Sequence, residues 1–373
     1  MVASIHTLID EFIKRNASDL YLTVGAHPSV RGAQGIVPID NALLTEEDVL
    51  AAIKTILPES VMDEFSSTLE YNTAINWKDT ARLRINLFRQ QQHTGMVMRR
   101  IHTEIPTLSE LGLPSIYGDL VMEKRGLILV VGPTGAGKSS SLASMLEYRN
   151  LNGNGHIVTL EDPVEYLLKH KNCIITQRDV GIDTYSFGIG LKNTLRQAPD
   201  IIVIGEIRDR EAMEHAVVSA ETGHLCLATL HANNANQAIE RIINFFPEEK
   251  HKQVLLNLSL NLRAVLSQRL MPNTMGTRSV AIEIMLNQGL IRQHIHDGKV
   301  RELKECIEKS RDQGMQTFDQ HLVEMCEAGI ITESTAIIEA DTPSNIILAL
   351  KQKSIARRTD LNEDRDQKDK KKF

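Results

Sequence analysis

Val2, Ile5, Leu8, Ile9, Phe12 and Ile13 recur at intervals of three and four. That spacing lines one face of a helix, so the chain is expected to open on an amphipathic helix ending near Asn16. Two β-prone stretches follow, Asp19 to Val24 and Ser29 to Pro38, punctuated by Gly25, His27-Pro28 and Gly32. Thr45 then caps a helix through Ile56, with Glu46, Glu47 and Asp48 in the first turn, where the helix dipole favours negative charge. Beyond a short helix after Pro58, strands are expected at Leu69 to Trp77, Arg82 to Phe88 and Met96 to Ile101. Residues 1–101 therefore read as a small α+β domain. Residues 102–114 hold Pro106 and Gly112 and little periodicity, as an interdomain linker does.

Past the linker the pattern changes. Buried apolar runs at Leu127 to Val131, Ile157 to Leu160, Ile201 to Ile204 and Leu225 to Leu230 alternate with helical segments, the signature of a largely parallel α/β sheet. Asn257 to Leu270 and the stretch from Arg301 into the 340s read as mainly helical, so one α/β domain is expected over residues 115–350. From about Lys351 apolar residues almost vanish among mixed charges, and residues 351–373 are expected to be a disordered tail.

Composition narrows the function classes. The 373 residues are 42% hydrophobic and 24% charged, ordinary for a globular protein large enough for two cores. No apolar run approaches the roughly 18 to 20 residues that span a bilayer. The first helix carries Asp10 and Glu11 and lacks the basic start of a secretory signal, so the expected location is cytoplasmic. Four widely spaced cysteines form no C-x-x-C pair and suggest neither zinc nor a disulfide framework. A net charge of -6 and 4% aromatic residues give no support to nucleic-acid binding.

Gly132-Pro133-Thr134-Gly135-Ala136-Gly137-Lys138-Ser139 fits the P-loop pattern, with an apolar strand before it and a helix from Ser140 after it. The glycines let backbone N–H groups close around phosphate oxygens at a helix N-terminus. Lys138 is expected to contact the β and γ phosphates of ATP, and Ser139 to hold Mg²⁺, with Ser140 beside them. Hydrolysis also needs carboxylates. Asp200 precedes the run Ile201 to Ile204 and Gly205-Glu206 ends it, the layout of a Walker-B strand with glycine at the usual aspartate position. Glu161, Asp162 and Glu165 follow another buried strand, either as a solvated loop or as ligands at the sheet edge where α/β proteins bind nucleotides.

His224 and His231 flank Leu225 to Leu230, roughly 23 Å apart at about 3.3 Å per residue, too far to share a metal. Each is either structural or acts alone. Arg82, Arg84 and Asn86 alternate with Leu83, Ile85 and Leu87, and Arg99 lies on the next expected strand. The polar face is either simply solvated or supplies arginine fingers to another subunit's nucleotide.

The segments Asp162-Pro163-Val164-Glu165-Tyr166, Ile204-Gly205-Glu206-Ile207-Arg208-Asp209, Ala220-Glu221-Thr222-Gly223-His224 and Thr229-Leu230-His231 resemble the Asp box, Walker B and His boxes of secretion and pilus ATPases. Together with Ala17-Ser18-Asp19-Leu20 they make the chain similar to the PilT/PilU group of type IV pilus retraction motors, from about residue 17 to about 345. The resemblance implies a PAS-like N-terminal domain followed by a RecA-like ATPase domain with a helical C-terminal part, assembled as a homo-hexamer. It implies Glu206 and Glu165 as catalytic carboxylates, Glu161, Asp162, His224 and His231 at the nucleotide, and Arg84 and Arg99 as fingers.

Residues 225–237 and 241–247 resemble the PilU branch more than the PilT branch. Gly289 to Ile295 replaces a segment characteristic of PilT. An accessory motor is implied, working with a PilT-like ATPase on an inner-membrane platform protein at the base of the pilus, without nucleic acid. Two alternatives share the P-loop core: a RecA-like motor on nucleic acid, and an adaptor that binds nucleotide without turnover.

Overall fold

A computed structural model describes residues 2–32, 35–78, 80–101 and 104–352. The chain divides into two compact units. The first comprises Met1–Ile105, Asp162–Lys169 and Arg178–Ser186, and the second comprises Pro106–Glu161, His170–Gln177 and Phe187–Phe373. Residues 353–373, most of the expected charged tail, lie outside the described residues, while Lys351 and Gln352 still belong to a helix.

In the first unit, β1 (Asp19–Thr23), β2 (Ser29–Gly32), β3 (Gly35–Pro38), β4 (Glu70–Trp77), β5 (Ala81–Gln90) and β6 (His93–Ile101) form one sheet in the order β3-β2-β1-β6-β5-β4. Every neighbouring pair is antiparallel. Alternation explains its two faces. Leu20, Leu22, Leu83, Ile85, Leu87, Met96 and Met98 are buried with Ile9, Phe12, Val49, Ile53 and Phe65 from helices Ile5–Lys14, Glu46–Ile56 and Glu59–Thr68. The middle helix starts where the sequence indicates, because Thr45 and Asp48 form a reciprocal capping box.

The second unit carries β7 (Gly126–Val131), β8 (Gly155–Glu161), β9 (Cys173–Asp179, whose last two residues count with the first unit), β10 (Ile201–Ile204), β11 (Leu225–Leu230), β12 (Leu262–Pro272) and β13 (Arg278–Leu286). Their order is β13-β12-β7-β11-β10-β8-β9. The five strands from β12 to β8 run parallel, and β13 is antiparallel to β12. Every residue of β7, β10 and β11 is buried, as strands covered on both faces by helices must be.

One expectation is corrected. The helix His251–Asn261 stops at Asn261, and Leu262 to Leu270, read from sequence as helical, forms most of β12. Leu262, Ala264, Val265 and Leu266 are all buried, so β12 shows no period-two alternation, and periodicity cannot separate such a strand from a buried helix. The helical character expected from Arg301 into the 340s is present in Leu303–Lys309, Phe318–Glu327 and Glu333–Glu339, and a further helix, Gly289–His296, precedes them.

The parallel register decides what meets. Leu160 pairs with Ile204, Ile204 with Ala228, and Leu230 with Val131. Glu161 at the end of β8, and Gly205-Glu206, His231 and Gly132 just beyond the other strands, are therefore delivered to one edge of the sheet, where open α/β folds bind ligands.

Candidate nucleotide site

Val131 leads into a loop whose glycines have different tasks. A Cβ on Gly132 would stand 2.5 Å from the Gln268 carbonyl oxygen, so only glycine lets the loop pass β12 this closely. Gly135 and Gly137 adopt φ of 78° and 86°, the left-handed region that turns the chain into helix Lys138–Asn152. Lys138, at the first position of that helix, is buried and donates from Nζ to the carbonyl oxygens of Gly132 and Pro133, each at 2.9 Å. Its ammonium thus rests against the loop that would receive phosphate.

His231 stands on the other side of Lys138. Its Nδ1 is 3.5 Å from Nζ, and its Nε2 is 3.0 Å from Glu206 Oε1. An ammonium has donors only, so Nδ1 acts as the acceptor and Nε2 carries the proton towards the carboxylate. Arg208 donates from Nε to the second oxygen, Glu206 Oε2, at 2.8 Å. The P-loop lysine and the carboxylate that ends β10 are therefore joined through one imidazole.

The backbone around Glu206 is pinned on both sides. Gly205 N donates to Leu160 O at 2.7 Å, Ile207 N donates to Thr229 O at 2.9 Å, and the Thr229 hydroxyl donates to Gly205 O. The glycine at the usual aspartate position has a steric reason. A Cβ there would lie 3.0 Å from Glu161 Cα and 3.1 Å from Leu160 O. Glu161 accepts at Oε1 from the Thr159 hydroxyl at 2.6 Å and from Gln177 Nε2 at 3.3 Å.

The other expected residues separate into groups. His224 and Asp200 are not brought to the P-loop. His224 is at the opposite end of β11 from His231, with Nδ1 3.0 Å from the Thr222 hydroxyl and 3.2 Å from Ser219 O. Asp200 precedes β10 and accepts from His156 N at 2.8 Å. Asp162 and Glu165 belong to the first unit, as do Arg84 and Arg99, which are directly paired across β5 and β6. Arg82 in that unit lies 3.6 Å from the buried Asp179, whose carboxyl is pushed up chiefly by burial.

A cleft of about 520 Å³ beside the P-loop is lined by Pro133 to Ala136, Asn233, Gln237, Arg269 and Asp341 among others. Arg269 is the residue that sequence reasoning missed. It donates to Glu339 O at 2.6 Å and to Asp341 Oδ1 at 2.5 Å, and it stacks over Phe318 at 4.1 Å, holding the wall of the cleft. A lone arginine in a segment read as helical carries no signal for that role. Beneath the loop, Glu283 is buried and accepts from Ala235 N at 2.8 Å and from the Ser267 hydroxyl at 3.2 Å. Burial pushes its carboxyl up to about 7.

The arrangement offers a glycine-rich loop at a helix N-terminus, a buried ammonium and a carboxylate braced by His231 and Arg208. The buried ammonium and the open left-handed turn at Gly135 and Gly137 fit the phosphates of a nucleotide. No helix among the described residues is long and apolar enough to cross a membrane.

A family model described as type II/IV secretion system protein matches residues 1–362. The type IV pilus ATPase PilU of Pseudomonas aeruginosa is 48% identical over 345 residues, covering 92% of this chain and 90% of the relative. The type IV pilus retraction ATPase PilT of the same organism is 38% identical over 332 residues, covering 89% and 96%. Among solved structures, the pilus retraction motor PilT with bound ADP superposes with a TM-score of 0.86 at 38% identity, over 92% of this chain and 98% of that one. The Legionella pneumophila ATPase DotB, at 22% identity and a TM-score of 0.74 over 91% and 96%, shares the fold.

Proposed function

The chain belongs to the type II/IV secretion system protein family, and from that premise we propose that it is an ATP-hydrolysing motor of the type IV pilus machine that drives or assists retraction. The observation that carries the reading is the contact chain from Lys138 through His231 to Glu206. It puts a phosphate-binding cation and a carboxylate suited to orienting water on either side of one imidazole.

In this reading Lys138 leaves the Gly132 and Pro133 carbonyls for the β and γ phosphates of ATP. His231 then loses the donor at Nδ1 while still holding Glu206, and Glu206 orients the attacking water. Ser139 would hold Mg²⁺, which when bound would offset the charge of the phosphates. Glu161, Asp162 and Glu165 are the further carboxylates this reading assigns to ATP, and Arg84 and Arg99 are its fingers, supplied by another copy within a homo-hexamer. Repeated hydrolysis would open and close the domain pair against an inner-membrane platform protein at the base of the pilus, from the cytoplasmic side.

The accessory, PilU-like role is supported by 48% identity to the Pseudomonas PilU and by the replaced segment Gly289 to Ile295. That segment forms most of helix Gly289–His296, beside a second cavity of about 460 Å³ lined by Leu290, Ile291, Cys306 and Met315 among others. Coupling to a PilT-like motor would reside there, apart from the nucleotide. The test is pilus retraction in cells carrying this protein with and without the PilT-like motor. Weak or absent retraction alone, and stronger retraction together, is the expected result. Full retraction by this protein alone overturns the accessory role, and no change on its deletion removes it from retraction.

A further inference from the structure

The outward face of the first sheet carries a charged row that the roles above leave partly unused. Register pairs Asp19 on β1 with Arg31 on β2 and with Arg99 on β6, and pairs Arg99 with Arg84 on β5. Paired positions share a face, so Arg31, Asp19, Arg99 and Arg84 form a line across four adjacent strands. Three guanidinium groups stand against one carboxylate. Like charges directly opposite each other are destabilising, and Arg84 and Arg99 are placed that way.

Asp19 is what makes the line tolerable. Aspartate is depleted in strands and rarely buried without partners, yet this side chain is only 4% exposed. Its Oδ1 accepts from Arg99 Nε at 2.8 Å, and its Oδ2 accepts from the Ser18 hydroxyl at 2.8 Å with Arg31 Nε at 3.8 Å. Arg31 is otherwise engaged, since its Nε donates to the Tyr21 hydroxyl at 2.8 Å and its guanidinium lies over the Tyr21 ring. Arg99 is different. Asp19 holds its Nε edge, while the side chain remains 67% exposed.

We infer that Asp19 is a positioning residue: it fixes Arg99 beside Arg84 as a two-arginine fork for the phosphates of ATP bound by another copy of this chain. The inference rests on the proposed finger role of Arg84 and Arg99. Holding one edge of a planar guanidinium sets the direction of its remaining donors, which a floating arginine would lose to solvent and to repulsion from Arg84.

The test is steady-state ATPase activity of the assembled protein in a double-mutant cycle. Asp19→Asn keeps the shape and removes the charge, and it is expected to lower kcat about 10-fold with little change in KM for ATP. In an Arg99→Ala background, Asp19→Asn should produce no further fall. An equal fall in both backgrounds makes Asp19 merely structural and overturns the inference. Full activity of Asp19→Asn beside an inactive Arg99→Ala overturns it too, while leaving the finger reading intact. Unchanged turnover in Arg99→Ala instead sinks the finger reading and the inference with it. Should Asp19→Asn fail to fold, Arg99→Lys keeps a charge for Asp19 but lacks the oriented fork. It is expected to be as slow as Arg99→Ala, and full activity would overturn the inference.

Discussion

Glu283 offers a quantitative check on the packing beneath the P-loop. It sits on β13 opposite Ser267 of β12, and it accepts from Ala235 N, the first residue of the helix that follows the His231 loop. Burial raises its carboxyl from 4.5 to about 7, against the opposing effect of the Ala235 hydrogen bond. The folded protein therefore binds this proton more tightly than the unfolded chain does. At about 1.4 kcal/mol per tenfold difference in proton affinity, the stabilisation is about 3 kcal/mol. It is fully present below pH 4.5 and is lost as pH rises through 7. Glu283→Gln retains an acceptor for Ala235 N but cannot ionise. Chemical denaturation of nucleotide-free protein at pH 5 and pH 8 should give the parent about 2.5 kcal/mol more loss across that interval than the variant, since the unfolded chain is already partly ionised at pH 5. The cost of the new amide enters at both pH values and cancels in the difference. Equal pH dependence in parent and variant would refute the buried, protonated carboxyl.

Lys138→Ala should abolish productive ATP binding, because the loop loses its cation; unchanged phosphate release would remove the P-loop assignment. Glu206→Gln should still bind ATP while turnover falls about 100-fold or more, and parallel loss of binding and turnover would mark Glu206 as structural. Gly132→Ala sets a methyl against the Gln268 carbonyl and should cost about 1–3 kcal/mol of stability, measured by thermal unfolding. Mixing Arg84→Ala or Arg99→Ala chains with Lys138→Ala chains should restore activity above the sum of the separate proteins. No gain at any ratio would confine the arginines to their own chain.

Local chemistry made much of the site legible in the sequence. Gly132 to Ser139 carries a phosphate loop in its own order, because the turn and the helix start are built from consecutive residues. The apolar runs that became β7, β10, β11 and the centre of β8 were visible for the same reason: a strand buried on both faces is apolar at nearly every buried position. Alternation in Arg82 to Leu87 likewise separated a polar from a buried face before any partner was known. Where both faces of a strand are buried next to a helix, as at Leu262 to Leu270, that rule fails.

What only the tertiary structure decided is which distant residues meet. Lys138, Glu206 and His231 lie far apart in the chain and touch because β7, β11 and β10 are adjacent and parallel, an order that no local pattern encodes. The same register sends His224 and Asp200 to the opposite edge, although in sequence they look as eligible as their counterparts. Asp19 and Arg99 are 80 positions apart and meet only because β1 pairs with β6. Sequence determined the kinds of side chain available and the elements that carry them. Strand order and register, set by long-range burial, determined which of them share a site.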